Sequence, residues 1–286
     1  MDVDPCQLLI VGGQSDPNTC RIVDQAHLRD VDYVFWDTDL EQARQIAWDF
    51  QHPTIDLGDR SVRPKSIYLR YNVFGDDATN NHAAFELCES FAHTWTHIKW
   101  LNRSTAGDTN NKSRNLKLAR QFGFAIPDTI VIGDATPLIN HPAPENTIVK
   151  PLSGGDHAHV VREIQHPERL LNLTPQFVQE KLDGENLRIF SIGGELTAFH
   201  LQTNAVDYRT DDSVVVRRIV VPSNLRDSIE QLVSKIGFDY CALDFRCRDG
   251  FDEPVFLEIN SFPMFVAFDD ACENQLADQT LAFLID

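Results

Sequence analysis

The sequences YCALDF at residues 240–245 and VFLEIN at residues 255–260 decide the fold. Each is predicted as a buried strand, and the acidic segment between them turns the chain back. In the second strand Glu258 and Asn260 share one face, because side chains alternate across a strand and the apolar residues fall on the other. Asp244 projects in the same way from the first strand, so pairing of the two strands would bring it close to Glu258. Two carboxylates and an amide oxygen suit Mg²⁺, so these residues predict a metal site, with a hairpin that has a charged solvent face as the alternative.

Composition indicates a folded protein. The chain has 286 residues, of which 42% are hydrophobic and 24% charged, and this is ordinary for globular proteins of one to three compact units. Its formal charge of −18 argues against a broad contact with nucleic acid or an anionic membrane, because phosphate binding needs a basic surface. A local basic pocket stays compatible with this charge.

The cysteines and the first residues predict the compartment. The six cysteines show neither a CxxC pair nor a regular framework, which is typical of reduced thiols. The chain start lacks the basic and apolar runs of a secretion signal, and no later stretch reaches the length of a membrane span. We therefore expect a cytoplasmic protein that has no nucleic acid and no membrane as partner.

The first hundred residues have the pattern of an α/β unit. An apolar strand at 7–12, a helix and a second strand at 33–37 predict a parallel sheet. The Gly12-Gly13 pair lacks the full GxGxxG spacing, so a plain turn is favoured over a phosphate cradle.

The rest of this region leaves some roles open. We predict a short helix at 40–50 and a strand at 66–74, whose Arg70 is either structural or directed to a ligand. A helix predicted at 80–101 carries three histidines, for which surface or core-edge roles are favoured over zinc binding because no third ligand completes a zinc pattern.

A polar stretch at 102–111 is the first predicted domain boundary, because its composition forms turns. Beyond it Lys112 opens a helix that Gly123 can end, and an apolar strand at 147–150 ends with Lys150. A lysine before a glycine loop suits phosphate, since its ammonium is a point charge and backbone N–H groups can approach closely. A lysine at a strand end without any chemical role is the alternative.

The order of these parts resembles the ATP-grasp superfamily over residues 111–260. A lysine at a helix start, a strand ending in Lys-Pro, a Gln-Glu-x-Leu strand and the motifs Asn-Leu-Arg, Tyr-Arg, Leu-Asp-Phe and Leu-Glu-Ile-Asn follow in that order. The chain is most similar to the branch containing glutathione synthetase, the ligases that add glutamate to ribosomal protein and the synthetases that cyclise ribosomal peptides. Residues 111–129 and 206–209 are especially similar to the peptide-cyclising synthetases.

The resemblance implies an α/β chain of the α+β grasp type. It predicts an N-terminal α/β pre-ATP-grasp domain at 1–104, a central small lobe at 105–175 and a C-terminal lobe with the metal site at 176–286. ATP is expected between the two grasp lobes. A homodimer is also expected, because subunit pairing is common among the relatives.

The resemblance assigns the phosphate contacts to two lysines and a glycine loop. Lys112 and Lys150 match the lysines that hold the ATP phosphates. Gly154 and Gly155 belong to the loop that would close over the nucleotide and exclude water.

The adenine and ribose contacts are assigned to the hinge. Glu180, Lys181 and Leu182 match the strand that recognises adenine. Asn186 stands where the family often has an acidic contact to ribose or phosphate, so Glu185 is expected to take that role.

The reacting groups follow from the same resemblance. Arg188 and Arg209 match basic residues near the transferred phosphate, and Asp244, Glu258 and Asn260 match the ligands of two Mg²⁺ ions. Together with ATP they imply phosphoryl transfer by positioning and electrostatic stabilisation, without a protein nucleophile.

The implied activity is ATP-dependent carboxylate–amine ligation through an acyl phosphate, in peptide or natural-product modification. Its carboxylate substrate is a peptide or amino acid, its nucleophile an amine or a hydroxyl, and its product an amide or ester. Residues 260–263 read Asn-x-Phe-Pro, which departs from the peptide-cyclising pattern and resembles inositol phosphate kinases. Phosphorylation of a polyol hydroxyl is therefore one alternative, and a nucleotide-binding module without turnover is another.

Overall fold

The structure, a computed structural model, describes residues 3–76, 78–105, 110–134, 136–152, 157–166, 175–203, 205–248 and 251–286. The helices in these ranges are α1 Pro17–Leu28, α2 Ala78–Thr94, α3 Lys112–Gln121, α4 Thr136–Ile139, α5 Arg226–Ile236, α6 Val266–Asp270 and α7 Gln275–Ile285. The strands are β1 Val3–Gly12, β2 Tyr33–Asp37, β3 Ala47–Trp48, β4 Ile55–Asp56, β5 Ser61–Leu69, β6 Lys99–Trp100, β7 Thr129–Ile132, β8 Thr147–Pro151, β9 His159–Val160, β10 Gln176–Glu180, β11 Asn186–Ile192, β12 Glu195–Gln202, β13 Val215–Ile219, β14 Tyr240–Cys247 and β15 Pro254–Asn260.

The first sheet has the predicted parallel pattern. Strand β1 pairs in parallel with β2 and with β5, and α1 connects β1 to β2. Leu8, Leu9 and Ile10 of β1 are fully buried, as expected for a parallel strand that is covered on both faces. Helix α1 begins after Asp16, whose side chain accepts a hydrogen bond from the backbone N–H of Asn18 and so satisfies a free donor of the first turn.

The helix predicted at 40–50 is wrong. The chain forms one 3₁₀ turn at Glu41–Arg44, after which β3 pairs with β4 in a short hairpin. The Trp48 ring of β3 packs edge-on against Phe91 of α2, with the ring centroids 5.4 Å apart. This partner lies far along the chain, so local periodicity could not reveal it.

The second sheet has the strand order β7-β10-β8-β9 and is antiparallel. Its strand β10 lies between β7 and β8, whereas we assigned residues 176–180 to the C-terminal lobe from the sequence. The backbone hydrogen bonds of β10 go to the small sheet. The domain boundaries stay a prediction.

The third sheet, β13-β12-β11-β14-β15, is antiparallel and has five strands. All residues of β11 are buried, because α5 packs on one face of this sheet while α6 and α7 pack on the other. The cluster around α7 also contains residues of β1, so α7 packs the large sheet against the first sheet.

Two observations concern the whole molecule. No helix in the described ranges combines the length and apolar character that a membrane span requires. All six cysteines are free thiols, and five of them are buried. Burial raises the pKa of the Cys88 and Cys241 thiols, which keeps them protonated and unreactive at neutral pH.

Candidate active site

A cavity of about 600 Å³ lies between the small and the large sheet. Lys150 lies in its small-lobe wall, residues 179–182 form part of its hinge wall, and Asp244 lies in its floor. Residues 262–264 also line it. Among the residues that the structure describes, those assigned to the nucleotide or the metal by the resemblance all line the cavity except Glu185. The predicted Gly154 and Gly155 lie outside the described residues.

The predicted metal ligands lie together on the cavity floor. Asp244 of β14 stands directly opposite Glu258 of β15, and a bulge follows Asp244. The Asn260 amide nitrogen lies 3.2 Å from an oxygen of each carboxylate. Like charges directly opposite one another are unfavourable unless a cation or donor lies between them.

The two carboxylates have opposite pKa shifts. Burial raises the pKa of Asp244 to about 6 against the opposing charge of Arg188, and Glu258 adds to the increase. Burial also opposes ionisation of Glu258, but Lys112 and Lys150 lower its pKa to about 2. Asp244 and Glu258 form a buried acid pair that needs nearby positive charge to ionise fully. Rotation of the Asn260 amide would turn its oxygen toward the same carboxylates. These three groups therefore fit a hard divalent cation.

The two predicted lysines lie near Asp244 and Glu258 but belong to different elements. Lys112 is the first residue of α3, which Asn111 caps by accepting from the backbone N–H of Arg114, and its ammonium lies 2.9 Å from the Glu258 carboxylate. Lys150 of β8 lies in the electrostatic field of Glu258, and burial lowers its pKa. Both ammonium groups therefore lie where a polyphosphate beside the acid pair would need positive charge.

The predicted arginines differ in their availability. Arg188 of β11 is buried, its Nε lies 3.5 Å from an Asp244 oxygen, and its Nη1 donates to the Tyr208 hydroxyl. Arg209 is half-exposed and forms two hydrogen bonds with Asp207, from Nε at 2.8 Å and from Nη2 at 2.5 Å. The charge of Arg209 is therefore neutralised within the protein, and it would have to leave Asp207 to bind a phosphate fully.

The hinge residues line the cavity, but their side chains have protein partners. The Glu180 carboxylate accepts from Arg248 at 2.5 Å and from the backbone N–H of Asp128 at 3.1 Å. The Lys181 ammonium contacts Asp183, and the backbone N–H of Lys181 donates to the Asn146 carbonyl at 2.8 Å. Leu182 supplies an apolar contact surface.

The positions after the hinge are divided between the cavity and its outside. Asn186 lines the cavity, is buried and accepts a hydrogen bond from Arg246 at 3.0 Å. Glu185 is not among the lining residues that the structure describes, and its carboxylate lies 2.5 Å from the His200 ring. The proposed exchange of roles between these two residues stays a prediction.

The role that the sequence left open for Arg70 is structural. Its Nε donates to the carboxylate of Asp16 at 2.5 Å, and its Nη1 donates to the Pro263 carbonyl at 3.3 Å. Arg70 is 5% exposed and Asp16 fully buried. This pair joins the first sheet to the segment that follows the acid pair.

Sequence reasoning missed several residues of the site. Asp207 and Tyr208 lie within the segment 206–209, but the contacts that they make with Arg209 and Arg188 depend on the folded loop. Arg246 also lines the cavity and donates to the carbonyls of the loop before Asp207, at 3.3 Å each. Its position two residues after Asp244, on the same face of β14, was the available signal.

Comparison with known proteins decides the fold. No family model matches the sequence, and no curated protein matches it. The ATP-grasp ligase PsnB, in complex with a phosphomimetic variant of a minimal precursor, Mg and ADP, matches with a TM-score of 0.75 and 20% identity over 99% of each chain. The chain has the ATP-grasp fold. The predicted grasp architecture with a preceding α/β unit is thereby confirmed.

Two further ATP-grasp structures match over nearly their whole length. Macrocyclase MdnC from Microcystis aeruginosa MRC, bound with precursor peptide MdnA, has a TM-score of 0.75 and 17% identity, over 98% of this chain and 99% of that one. The RiPP-associated ATP-grasp ligase of Chryseobacterium gregarium, in complex with ADP and a leader and core peptide, has a TM-score of 0.75 and 20% identity, over 98% of this chain and 96% of that one. The structural similarity to these proteins therefore extends over nearly the whole chain.

Proposed function

We propose that this protein is an ATP-dependent ligase that activates a carboxylate as an acyl phosphate and joins it to an amine or hydroxyl. The observation that carries the proposal is the convergence of Asp244 and Glu258 with Lys112, Lys150 and Arg188 in one cavity between the two lobes. The acids suit magnesium and the cations suit transferred phosphate. Two similar ligases support the same assignment, one in complex with a precursor variant, Mg and ADP and the other with ADP and a leader and core peptide.

The metal assignment follows from the donor set. Asp244, Glu258 and Asn260 would hold magnesium, two ions being expected from the resemblance. When bound, magnesium would neutralise the charge of the nucleotide phosphates. The Lys112 ammonium lies beside the Glu258 carboxylate, and the Asn260 amide nitrogen donates to both carboxylates.

The protein's own residues then define the reaction. A carboxylate oxygen of the substrate attacks the γ-phosphorus of ATP, the bond to the bridging oxygen breaks, and ADP leaves. Lys112, Lys150 and Arg188 stabilise the transferring phosphoryl group. The amine or hydroxyl then attacks the acyl carbon, phosphate leaves, the surplus proton passes to solvent, and an amide or ester remains.

The substrate and setting form part of the proposal. A peptide is favoured over a free amino acid as the carboxylate substrate, because the matching structures contain a minimal precursor variant, a precursor peptide, or a leader and core peptide. A cytoplasmic location fits the free thiols. The kinase alternative is not favoured, since these neighbours are ligases or a macrocyclase.

Hydroxylamine trapping tests the proposal without knowledge of the natural nucleophile. The protein is incubated with MgATP, hydroxylamine and candidate carboxylates, and ADP and hydroxamates are measured by mass spectrometry. The proposal predicts equal amounts of ADP and hydroxamate, and loss of both in Asp244→Asn. A stable phosphorylated product without hydroxamate would instead identify a kinase.

A further inference from the structure

The segment directly after Asn260 forms an apolar wall of the cavity. Phe262 and Met264 line the cavity with 37% and 50% of their surface exposed, while Pro263 and Phe265 between and after them are buried. Large apolar side chains that stay exposed inside a cavity are typical of a ligand-binding surface.

Strand register places this wall on the far side of the acid pair from the hinge. The row in which Arg246 faces Asn186 lies next to the hinge. The row in which Asp244 faces Glu258 comes next, two residues closer to the start of β14. Asn260 faces Ala242 beyond that row, and the chain then continues into residues 261–264. A nucleotide between the hinge and the acid pair would therefore leave the apolar wall to the acceptor.

Buried hydrogen bonds hold the backbone of this wall. The Asn18 side-chain oxygen accepts from the backbone N–H of Phe265 at 2.7 Å, and Asn102 donates to the Ser261 carbonyl at 2.8 Å. Arg70 holds the carbonyl between them, that of Pro263. Asn18 and Asn102 are almost fully buried, so the wall is fixed before any ligand binds, which reduces the ordering cost of binding.

The apolar wall adjoins the cation that would receive the acceptor carboxylate. The Arg188 guanidinium lies 5.1 Å from the centroid of the Phe268 ring, and Val266, Ala267 and Phe268 continue the lining from Met264. Residues 266–268 therefore connect the apolar wall with the ring against which Arg188 packs.

We infer that the acceptor is a peptide whose activated carboxylate is flanked by a large apolar residue, and that this flanking side chain packs on Phe262 and Met264. The inference rests on the proposed ligase function and specifies its substrate class. The net charge of −18 agrees with it, because a strongly acidic peptide would be repelled outside the local arginine pocket.

A defined peptide pool tests this inference. N-acetylated, C-amidated dipeptides that pair Glu or Asp with Phe, Leu, Met, Ser, Asn or Lys, in both orders, are incubated with the full-length protein, MgATP and hydroxylamine. In each conversion the hydroxylamine nitrogen attacks the acyl carbon and phosphate leaves. Peptides with Phe, Leu or Met are expected to form hydroxamate at least about tenfold faster than those with Ser, Asn or Lys, the gain expected from burying one such side chain.

Variants assign the preference to the wall. Phe262→Ser and Met264→Ser should each reduce the preference severalfold while the calorimetric Kd for MgATP stays unchanged, and Met264→Leu should retain the preference. Val220→Ser is the matched control, because Val220 is 89% exposed and does not line the cavity. Its preference should equal that of the unmodified protein.

The outcomes separate the inference from the function on which it rests. Hydroxamates formed without an apolar preference, or a preference unchanged in Phe262→Ser and Met264→Ser, overturn the inference and leave the ligase proposal standing. Binding of MgATP without hydroxamate from any peptide counts against the ligase proposal and removes the inference with it.

Discussion

The Lys112 ammonium lies 2.9 Å from the Glu258 carboxylate, so the helix that opens the grasp region and the last strand of the large sheet meet at the predicted metal site. The pair joins one residue assigned to phosphate with one assigned to magnesium. Arrival of a magnesium nucleotide would give each of them a new partner of opposite charge. Nucleotide affinity should therefore depend on this pair and on magnesium together.

Glu258→Gln tests that dependence. The substitution keeps the shape of the side chain and removes its charge, so the Kd for MgADP should rise at least about tenfold, as expected for loss of one charged ligand. Affinity for ADP in the presence of a chelator should not fall. Isothermal titration calorimetry measures both, with Glu230→Gln on the exposed face of α5 as control. Equal MgADP affinity in the two variants would remove Glu258 from the metal site.

Tyr208→Phe tests how Arg188 is held. Burial raises the pKa of Tyr208 to about 12, so its hydroxyl is neutral at pH 7 and accepts from Arg188. Without it, Arg188 loses a charge-assisted bond, and we expect kcat for hydroxamate formation to fall about tenfold with little change in the Kd for MgATP. A variant with unchanged kcat would show that Arg188 needs no such support.

Asp16→Ala tests the buried pair that joins the first sheet to the apolar wall. Asp16 is fully buried and its partner Arg70 is 5% exposed, so the variant leaves a buried charge without its counterion. We expect a loss of about 3–5 kcal/mol in the free energy of unfolding by urea. Asp59→Ala, which removes an exposed pair at 3.5 Å, should cost less than about 1 kcal/mol. Similar losses in both variants would contradict a structural role for Arg70.

Acid unfolding should report the Asp207–Arg209 pair. Burial opposes ionisation of Asp207, but the hydrogen bonds and charge of Arg209 lower its pKa from 3.8 to about 2. Between these values the unfolded chain binds the proton more readily, so the pair stabilises the folded state above about pH 4 and this contribution is lost toward pH 2. Urea midpoints of the native chain and Asp207→Asn should therefore differ at about pH 5 and converge as the pH falls. A difference that does not depend on pH would contradict the assigned shift.

Local rules predicted the parts of the site that lie on regular strands. Alternation along two strands was enough to expect Asp244, Glu258 and Asn260 on one face, and the structure places the Asn260 amide within hydrogen-bonding distance of both carboxylates. Their role as magnesium ligands stays a prediction. The strand order β7-β10-β8 was not predictable in the same way, because strand pairing depends on residues remote in sequence.

Side-chain ion pairs account for what the sequence could not give. Arg209 stands at a motif position that matches a phosphate-binding residue, yet its guanidinium forms an ion pair with Asp207. Glu180 matches an adenine contact, yet its carboxylate binds Arg248. The Glu180–Arg248 pair forms only when separate segments fold together, whereas Asp207 and Arg209 belong to one turn. A motif therefore fixes the residue type and leaves its ionic partner open.

Transfer of oxygen from the acceptor to phosphate tests the central claim most directly. The dipeptide pool is labelled with ¹⁸O in its side-chain carboxylates and incubated with the native chain, MgATP and hydroxylamine, and the released phosphate is measured by mass spectrometry. Activation as an acyl phosphate predicts one ¹⁸O atom in each phosphate released with hydroxamate. Unlabelled phosphate would mean that ATP is hydrolysed without carboxylate activation, and would contradict the account.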